Sequence, residues 1–282
     1  MSRFASLFQR LEERGEGAFV PFLMLSDPSP EDALEIITTV VDAGADALEL
    51  GVPFSDPVAD GPSIQLSHVR ALDGGATVDK ALEQLRVLRE RYPDLPIGLL
   101  NYANMAYVRG LDRFYAEFAA AGVDAILLPD VPVREAAPFS AAAEANGIEP
   151  VYIAPHKAAE ATLKAVAEHS RGYIYAVSRD GVTGSEKQAT VDGLREVVDG
   201  IRTFGGPPVM LGFGISTPKH VSDAIAAGAV GAITGSAINN IVSKYIEYTH
   251  PNPGRVTDWD GLKAELTAYV QEMKAATRNQ EA

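Results

Sequence analysis

Eight short apolar runs, each followed by a polar loop and then a helical pattern, constrain this chain more than any other feature. Runs near Ala18–Met24, Asp46–Leu50, Ile97–Tyr102, Ala125–Leu128, Pro150–Ile153, Tyr173–Val177, Pro208–Gly212 and Gly231–Thr234 read as strands. Between them, Pro30–Ala43, Val78–Arg91, Leu111–Ala121, Arg134–Ala145, Glu160–His169, Val191–Thr203 and Pro218–Ala227 read as helices. Pro30 and Pro218 fall just inside helix starts, where the missing N–H costs little and φ is already helical. Strands alternating with helices build parallel sheets.

A weak internal repeat narrows the choice. AGADALELGVP at 43–53, AGVDAILLPDVP at 121–132 and AGAVGAITGSAI at 227–238 share a helix end, a glycine and a strand. Each glycine is placed to take the left-handed conformation that stops a helix. Eight such units without a linker or composition break fit one closed (β/α)8 barrel, an α/β fold of the TIM type spanning 1–282 as a single domain. An open doubly wound sheet is the alternative, but no Gly-x-Gly-x-x-Gly opens the first helix. Ahead of the first strand, Phe4, Leu7, Phe8 and Leu11 recur at i, i+3, i+4, i+7, the stripe of an additional N-terminal amphipathic helix and not the core of a signal peptide.

With 24 Lys+Arg against 38 Asp+Glu, the net charge is −14. Nucleic-acid binding needs a basic face, and no Lys/Arg run supplies one, so no nucleic-acid partner is expected. The absence of cysteine removes disulfides, zinc–thiolate sites, iron–sulfur clusters and thiolate nucleophiles. No stretch approaches the roughly 18 apolar residues that span a bilayer. A soluble cytoplasmic protein without membrane contact is expected.

Glu49 is the sharpest anomaly. It ends an apolar strand on the face shared with Ala47 and Gly51, opposite Leu48 and Leu50. A carboxyl group there either loses water, which raises its pKa and suits proton transfer, or accepts bonds from loop amides or an arginine. Asp60 lies in Asp56-Pro57-Val58-Ala59-Asp60-Gly61-Pro62, a stiff segment that either aims an acid over the barrel mouth or caps turns. Asp130 reads as a turn residue. Of Tyr173 and Tyr175, one is expected to face the site.

The connections after the second strand (52–76) and the sixth (178–190) exceed the usual 2–6 residues, as lids and binding segments do. Gly212-Phe213-Gly214-Ile215-Ser216 and Gly235-Ser236-Ala237 follow the seventh and eighth strands, each opening a helix. Barrels often hold a phosphate on backbone N–H groups in these two loops, although glycine-rich rims also serve tight packing. Fixed amide dipoles hold an anion at short range despite the net charge, because screening confines the global field to about 8–10 Å. The sixth loop is placed to fold over and supply Thr183 and Gly184. Five scattered histidines, His68, His156, His169, His220 and His250, show no ligand spacing, which disfavours a metal aldolase and leaves no metal site. Lys157, the nearest candidate for a Schiff base, reads as a solvated charge.

LELGVPFSDPVADG at 48–61, SRDGVTG at 178–184, GFGIS at 212–216, GSAI at 235–238 and GAFVPF at 17–22 closely resemble the tryptophan synthase α chain, and the likeness runs over essentially the whole sequence. The 14-residue segment is highly specific; the glycine-rich elements are shared with other barrels. The resemblance implies a lyase that splits indole-3-glycerol phosphate into indole and glyceraldehyde 3-phosphate, without metal, Schiff base or a cofactor of its own. It implies Glu49 as general acid/base and Asp60 as the carboxylate that holds the indole N–H. Phe22, Leu100, Leu127, Tyr175, Thr183 and Phe213 resemble substrate contacts, and Gly184, Gly214, Gly235 and Ser236 the phosphate grip. A pyridoxal-phosphate β chain is the implied partner, in an α2β2 heterotetramer contacted around Asp56 and Pro57. The sequence departs at Ser26, where the family commonly has glycine, and at Ala154-Pro155-His156-Lys157. A stand-alone lyase and a catalytically silent phosphate-binding barrel share the same motifs.

Overall fold

The computed structural model describes residues 1–177, 191 and 193–278. Strands β1 (Ala18–Met24), β2 (Leu48–Gly51), β3 (Ile97–Leu100), β4 (Ala125–Leu127), β5 (Glu149–Val151), β6 (Ile153–Ala154), β7 (Ile174–Val177), β8 (Val209–Gly212) and β9 (Gly231–Thr234) form one sheet. Its order is β5-β4-β3-β2-β1-β9-β8-β7-β6, and every neighbouring pair is parallel. The two ends of that order, β5 and β6, are consecutive pieces of one strand separated only by Tyr152. The sheet therefore closes on itself as a (β/α)8 barrel whose fifth strand pairs on one side with its first half and on the other with its second.

Alternation along the strands sorts the apolar residues into two layers. Phe19, Leu23, Leu48, Leu50, Leu99 and Ile126 pack outward with the helices. Val20, Phe22, Ala47, Leu100, Leu127, Tyr173, Tyr175 and Ile233 fill the interior. The three glycines of the repeat, Gly44, Gly122 and Gly228, have φ of 115°, 91° and 100°, as the helix-stop reading requires. The N-terminal helix Arg3–Glu13 buries Phe4, Leu7 and Leu11 against the barrel floor. The Phe4 ring packs against Tyr173 with centroids 5.0 Å apart and planes tilted by 50°.

Helices Val78–Arg91 and Glu160–His169 fall on the expected bounds, while the expected 191–203 helix begins at Leu194. The expected 134–145 helix opens with a 3-10 turn at Val133–Glu135. The connection after β2 is not a plain loop: it contains helix Pro62–Asp73. Its buried face includes Ser67, His68 and Arg70, so no apolar stripe betrays it in the sequence. Helices Ala103–Arg109 and Trp259–Ala275 and the small antiparallel pair Ile246–Glu247/Arg255–Val256 are likewise additions to the sequence reading. No helix among the described residues is long and apolar enough to cross a membrane. Ser26 adopts φ 63°, a left-handed conformation that favours glycine, and its hydroxyl donates to Gln84 Oε1 at 2.8 Å.

A buried ion pair ties helix Pro62–Asp73 to the end of β1. Arg70 donates from Nε and Nη2 to the two oxygens of Asp27 at 2.8 and 2.7 Å, and from Nη1 to Ser243 Oγ at 2.7 Å. Burial pushes the Asp27 carboxyl upward, and the guanidinium opposes that push. Removing one partner strands a charge in the interior. Arg70→Met is expected to cost about 3–5 kcal/mol in urea unfolding, whereas Asp27→Leu together with Arg70→Met recovers most of the loss.

Candidate active site

Glu49 lies inside the ring on β2, 1% exposed, beside Phe22 of β1 and Gly98 of β3 in register. Tyr173 reaches across the barrel and donates its hydroxyl to Glu49 Oε1 at 3.2 Å. That reach depends on Gly98, where a Cβ would lie 2.9 Å from the tyrosine oxygen. Oε2 is buried and has no hydrogen-bond partner among the described residues. Burial pushes the Glu49 carboxyl up to about 8; the Tyr173 bond opposes this and the charge of Asp60 adds to it. Burial and the neighbouring Glu49 in turn drive the Tyr173 hydroxyl well above its ordinary value.

Asp60 is 2% exposed and sits immediately before helix Pro62–Asp73. Its Oδ2 accepts from the Tyr102 hydroxyl at 2.7 Å and faces His68 Nε2 at 3.2 Å. The Tyr102 oxygen in turn accepts the backbone N–H of Ala59 at 3.2 Å. Tyr102 comes from the end of β3 and His68 from a helix, so elements far apart in sequence converge on one carboxyl oxygen.

Glu49 and Asp60 line one cleft with Phe22, Leu100, Tyr175, Phe213, Gly214, Gly235 and Ser236. Gly212 makes room for Tyr175, whose ring carbon Cζ and hydroxyl lie 2.1 Å from where a Cβ would sit. Phe213 and Gly214 have φ of 66° and 73°, and the Phe213 ring meets Tyr175 edge-on at 6.1 Å. A positive φ at a bulky aromatic residue is backbone strain of the kind that collects at functional sites. Gly235 precedes helix Ser236–Lys244, whose first amides have no intrahelical acceptor and whose dipole favours an anion.

Ten of the twelve residues expected at the site are within the described structure, and nine of these share this cleft. Leu127 is packed in the barrel interior and does not line it. Thr183 and Gly184 lie outside the described residues. Ile64, Ile215, Ile233 and Ala237 also line the cleft; strand alternation gave a usable signal only for Ile233. Tyr173, just before β7, and Tyr175 within it both face inward, as residues two apart along extended backbone do. Asp130 accepts the Ala103 N–H in a turn, and Lys157 is exposed.

A (β/α)8 barrel whose cleft brings two buried carboxyl groups together with a glycine-rich rim has the layout of a barrel enzyme, which carries its chemistry at the ends of its strands. The tryptophan synthase alpha chain family profile matches residues 8–278. The tryptophan synthase alpha chain of Corynebacterium glutamicum is 65% identical over 278 residues, covering 99% of each chain. That of Vibrio parahaemolyticus is 49% identical, covering 99% of this chain and all of its own. A solved Mycobacterium tuberculosis tryptophan synthase superposes with a TM-score of 0.83 at 28% identity over 99% of both chains. The alpha subunit from Legionella pneumophila gives 0.83 and 28% over 98% of both. The chain belongs to the tryptophan synthase alpha chain family.

A carboxyl group whose folded pKa lies above its ordinary 4.5 binds its proton more tightly when folded, so its contribution to stability falls as pH rises from about 4.5 through about 8. Glu49→Gln is expected to be more stable than the parent at pH 9, with the gap closing near pH 5. Urea unfolding of both proteins at the two pH values checks this; a gap that ignores pH contradicts the assignment.

Proposed function

We propose that Glu49 and Asp60 carry out the carbon–carbon lyase reaction of this family, the α step of tryptophan biosynthesis in which indole-3-glycerol phosphate is split into indole and glyceraldehyde 3-phosphate. The observation that carries the reading is the shared cleft, which a carboxyl pushed up to about 8 by burial lines together with a glycine-rich helix start.

The bond to be broken joins indole C3 to the glycerol chain, and its electrons have no stable home until C3 is protonated. Glu49 holds a proton at neutral pH and gives it to C3, forming a C–H bond and a cation spread toward the ring nitrogen. Asp60 accepts the ring N–H and offsets that charge. Glu49, now ionised and held by Tyr173, takes the proton of the adjacent side-chain hydroxyl. The C–C bond breaks, its electron pair returns to the ring, and the hydroxyl carbon leaves as an aldehyde. One proton is given and one taken, so Glu49 ends as it began.

Phe22, Leu100, Tyr175 and Phe213 supply the apolar walls for the ring, and Thr183 of the sixth loop belongs with them. Gly184, Gly214, Gly235 and Ser236 hold the phosphate, which orients the reacting carbon from a remote part of the substrate. The chain works as a single domain in the cytoplasm. Its partner is a beta chain that carries pyridoxal phosphate, in an α2β2 assembly. Support for the partner face comes from Val58, exposed beside Asp56 and Pro57, and from exposed Tyr107 and Val108 on the helix that follows Tyr102.

Glu49→Gln is expected to keep glycerol 3-phosphate affinity while indole formation falls by about 10²–10⁴-fold, the usual share of general acid/base action. Asp60→Asn is expected to lose rate with its melting temperature preserved; a collapse of the fold instead identifies a turn cap. Because the proton donor is needed, kcat is expected to fall as pH rises through about 8. Indole formation with and without a beta chain separates this reading from a stand-alone lyase and from a silent barrel. At Gly235 a Cβ would meet nothing closer than 3.8 Å, so Gly235→Val is expected to fold yet lose phosphate-ligand affinity, as measured by calorimetry with glycerol 3-phosphate.

A further inference from the structure

His68 has no part in the scheme above, yet it is 2% exposed and lies directly against Asp60. Its Nδ1 is 3.0 Å from the backbone N–H of Phe54. An amide N–H only donates, so Nδ1 presents its lone pair and the proton of the neutral ring sits on Nε2. That proton points at Asp60 Oδ2, 3.2 Å away. Both contacts therefore run one way, from the Phe54 amide into the ring and from the ring into the carboxylate. Tyr102 repeats the pattern, taking the Ala59 N–H and giving its own proton to the same oxygen.

Two donors on Oδ2 decide what Asp60 has left to offer. No described residue donates to Oδ1. A carboxylate without this pair of donors rotates about its last bond and spreads its acceptor capacity over two directions; with them, one oxygen is committed and the other has no donor among the described residues.

We propose that His68 is a positioning residue for the lyase reaction: anchored by the Phe54 amide in its Nε2–H form, it fixes the Asp60 carboxylate so that Oδ1 meets the N–H of the indole ring. This rests on the assignment of Asp60 to the ring nitrogen. Its signature is selectivity for a ring that carries an N–H, because a site built to accept that hydrogen rejects an isostere lacking it. A residue that merely fills space beside the loop leaves that selectivity untouched.

The test uses His68→Asn, which keeps an acceptor near the Nδ1 position but does not reach Asp60, and His68→Gln, which places an amide N–H near the Nε2 position. With the beta chain present, kcat and KM are measured for the substrate, together with binding of indole, of benzofuran, which has the same shape and no N–H, and of glycerol 3-phosphate. His68→Asn is expected to lower kcat/KM at least tenfold and to erase most of the preference for indole over benzofuran, with glycerol 3-phosphate affinity within twofold of the parent. His68→Gln is expected to restore at least a third of the parental kcat/KM. Should His68→Asn not fold, His68→Ala against His68→Gln reads the same donor dependence. Parental kcat/KM and preference in His68→Asn, or equal activity in the Ala and Gln variants, overturns the proposal. Asp60→Asn serves as the control: full activity and selectivity there defeats the assignment of Asp60 itself, whereas an inactive Asp60→Asn beside a normal His68→Asn defeats only the role of His68.

Discussion

Closure of the strand ring at Tyr152 is the constraint on which the rest of the molecule depends. With β5 bonded to β4 and β6 bonded to β7, the sheet has no free edge, and its interior is cut off from water along its whole circumference. Only within such an enclosure does a glutamate on a four-residue strand lose enough hydration to keep its proton at neutral pH. An open sheet with the same sequence at β2 would leave that carboxyl on a face with no opposite wall to exclude water.

The enclosure also explains how a chain of charge −14 accommodates an anionic substrate. Among the described residues the cleft is lined by no lysine or arginine, and the proposed grip on the anion is the Gly235–Ser236 helix start, whose dipole favours negative charge, so acidic side chains and an anion subsite fit within one cleft. Amide dipoles are fixed by the backbone and carry no pKa. The rim therefore keeps its polarity over the pH range in which Glu49 titrates.

Much of this was legible in the sequence because barrels write themselves in two simple periods. Alternation placed Glu49 on the inner face opposite Leu48 and Leu50, and the three repeat glycines marked helix ends. What stayed hidden has a common cause: polar residues buried against partners from other elements. Helix Pro62–Asp73 turns Ser67, His68 and Arg70 inward, so it carries no apolar stripe. Tyr102 and His68 meet at Asp60 only after β3 and that helix are assembled. Tyr152 interrupts the fifth strand without any local signal, because the break reflects which neighbour each half pairs with.

The N-terminal helix has a consequence for how this protein can be shortened or rejoined. Phe4 lies under Tyr173, and Tyr173 holds Glu49, so residues far apart in the sequence form a single column from the barrel floor to the buried carboxyl. Cutting away the first dozen residues removes a plug as well as a helix. Water would then enter from below, and the glutamate would revert toward an ordinary, permanently ionised carboxylate although no residue at the mouth had been touched.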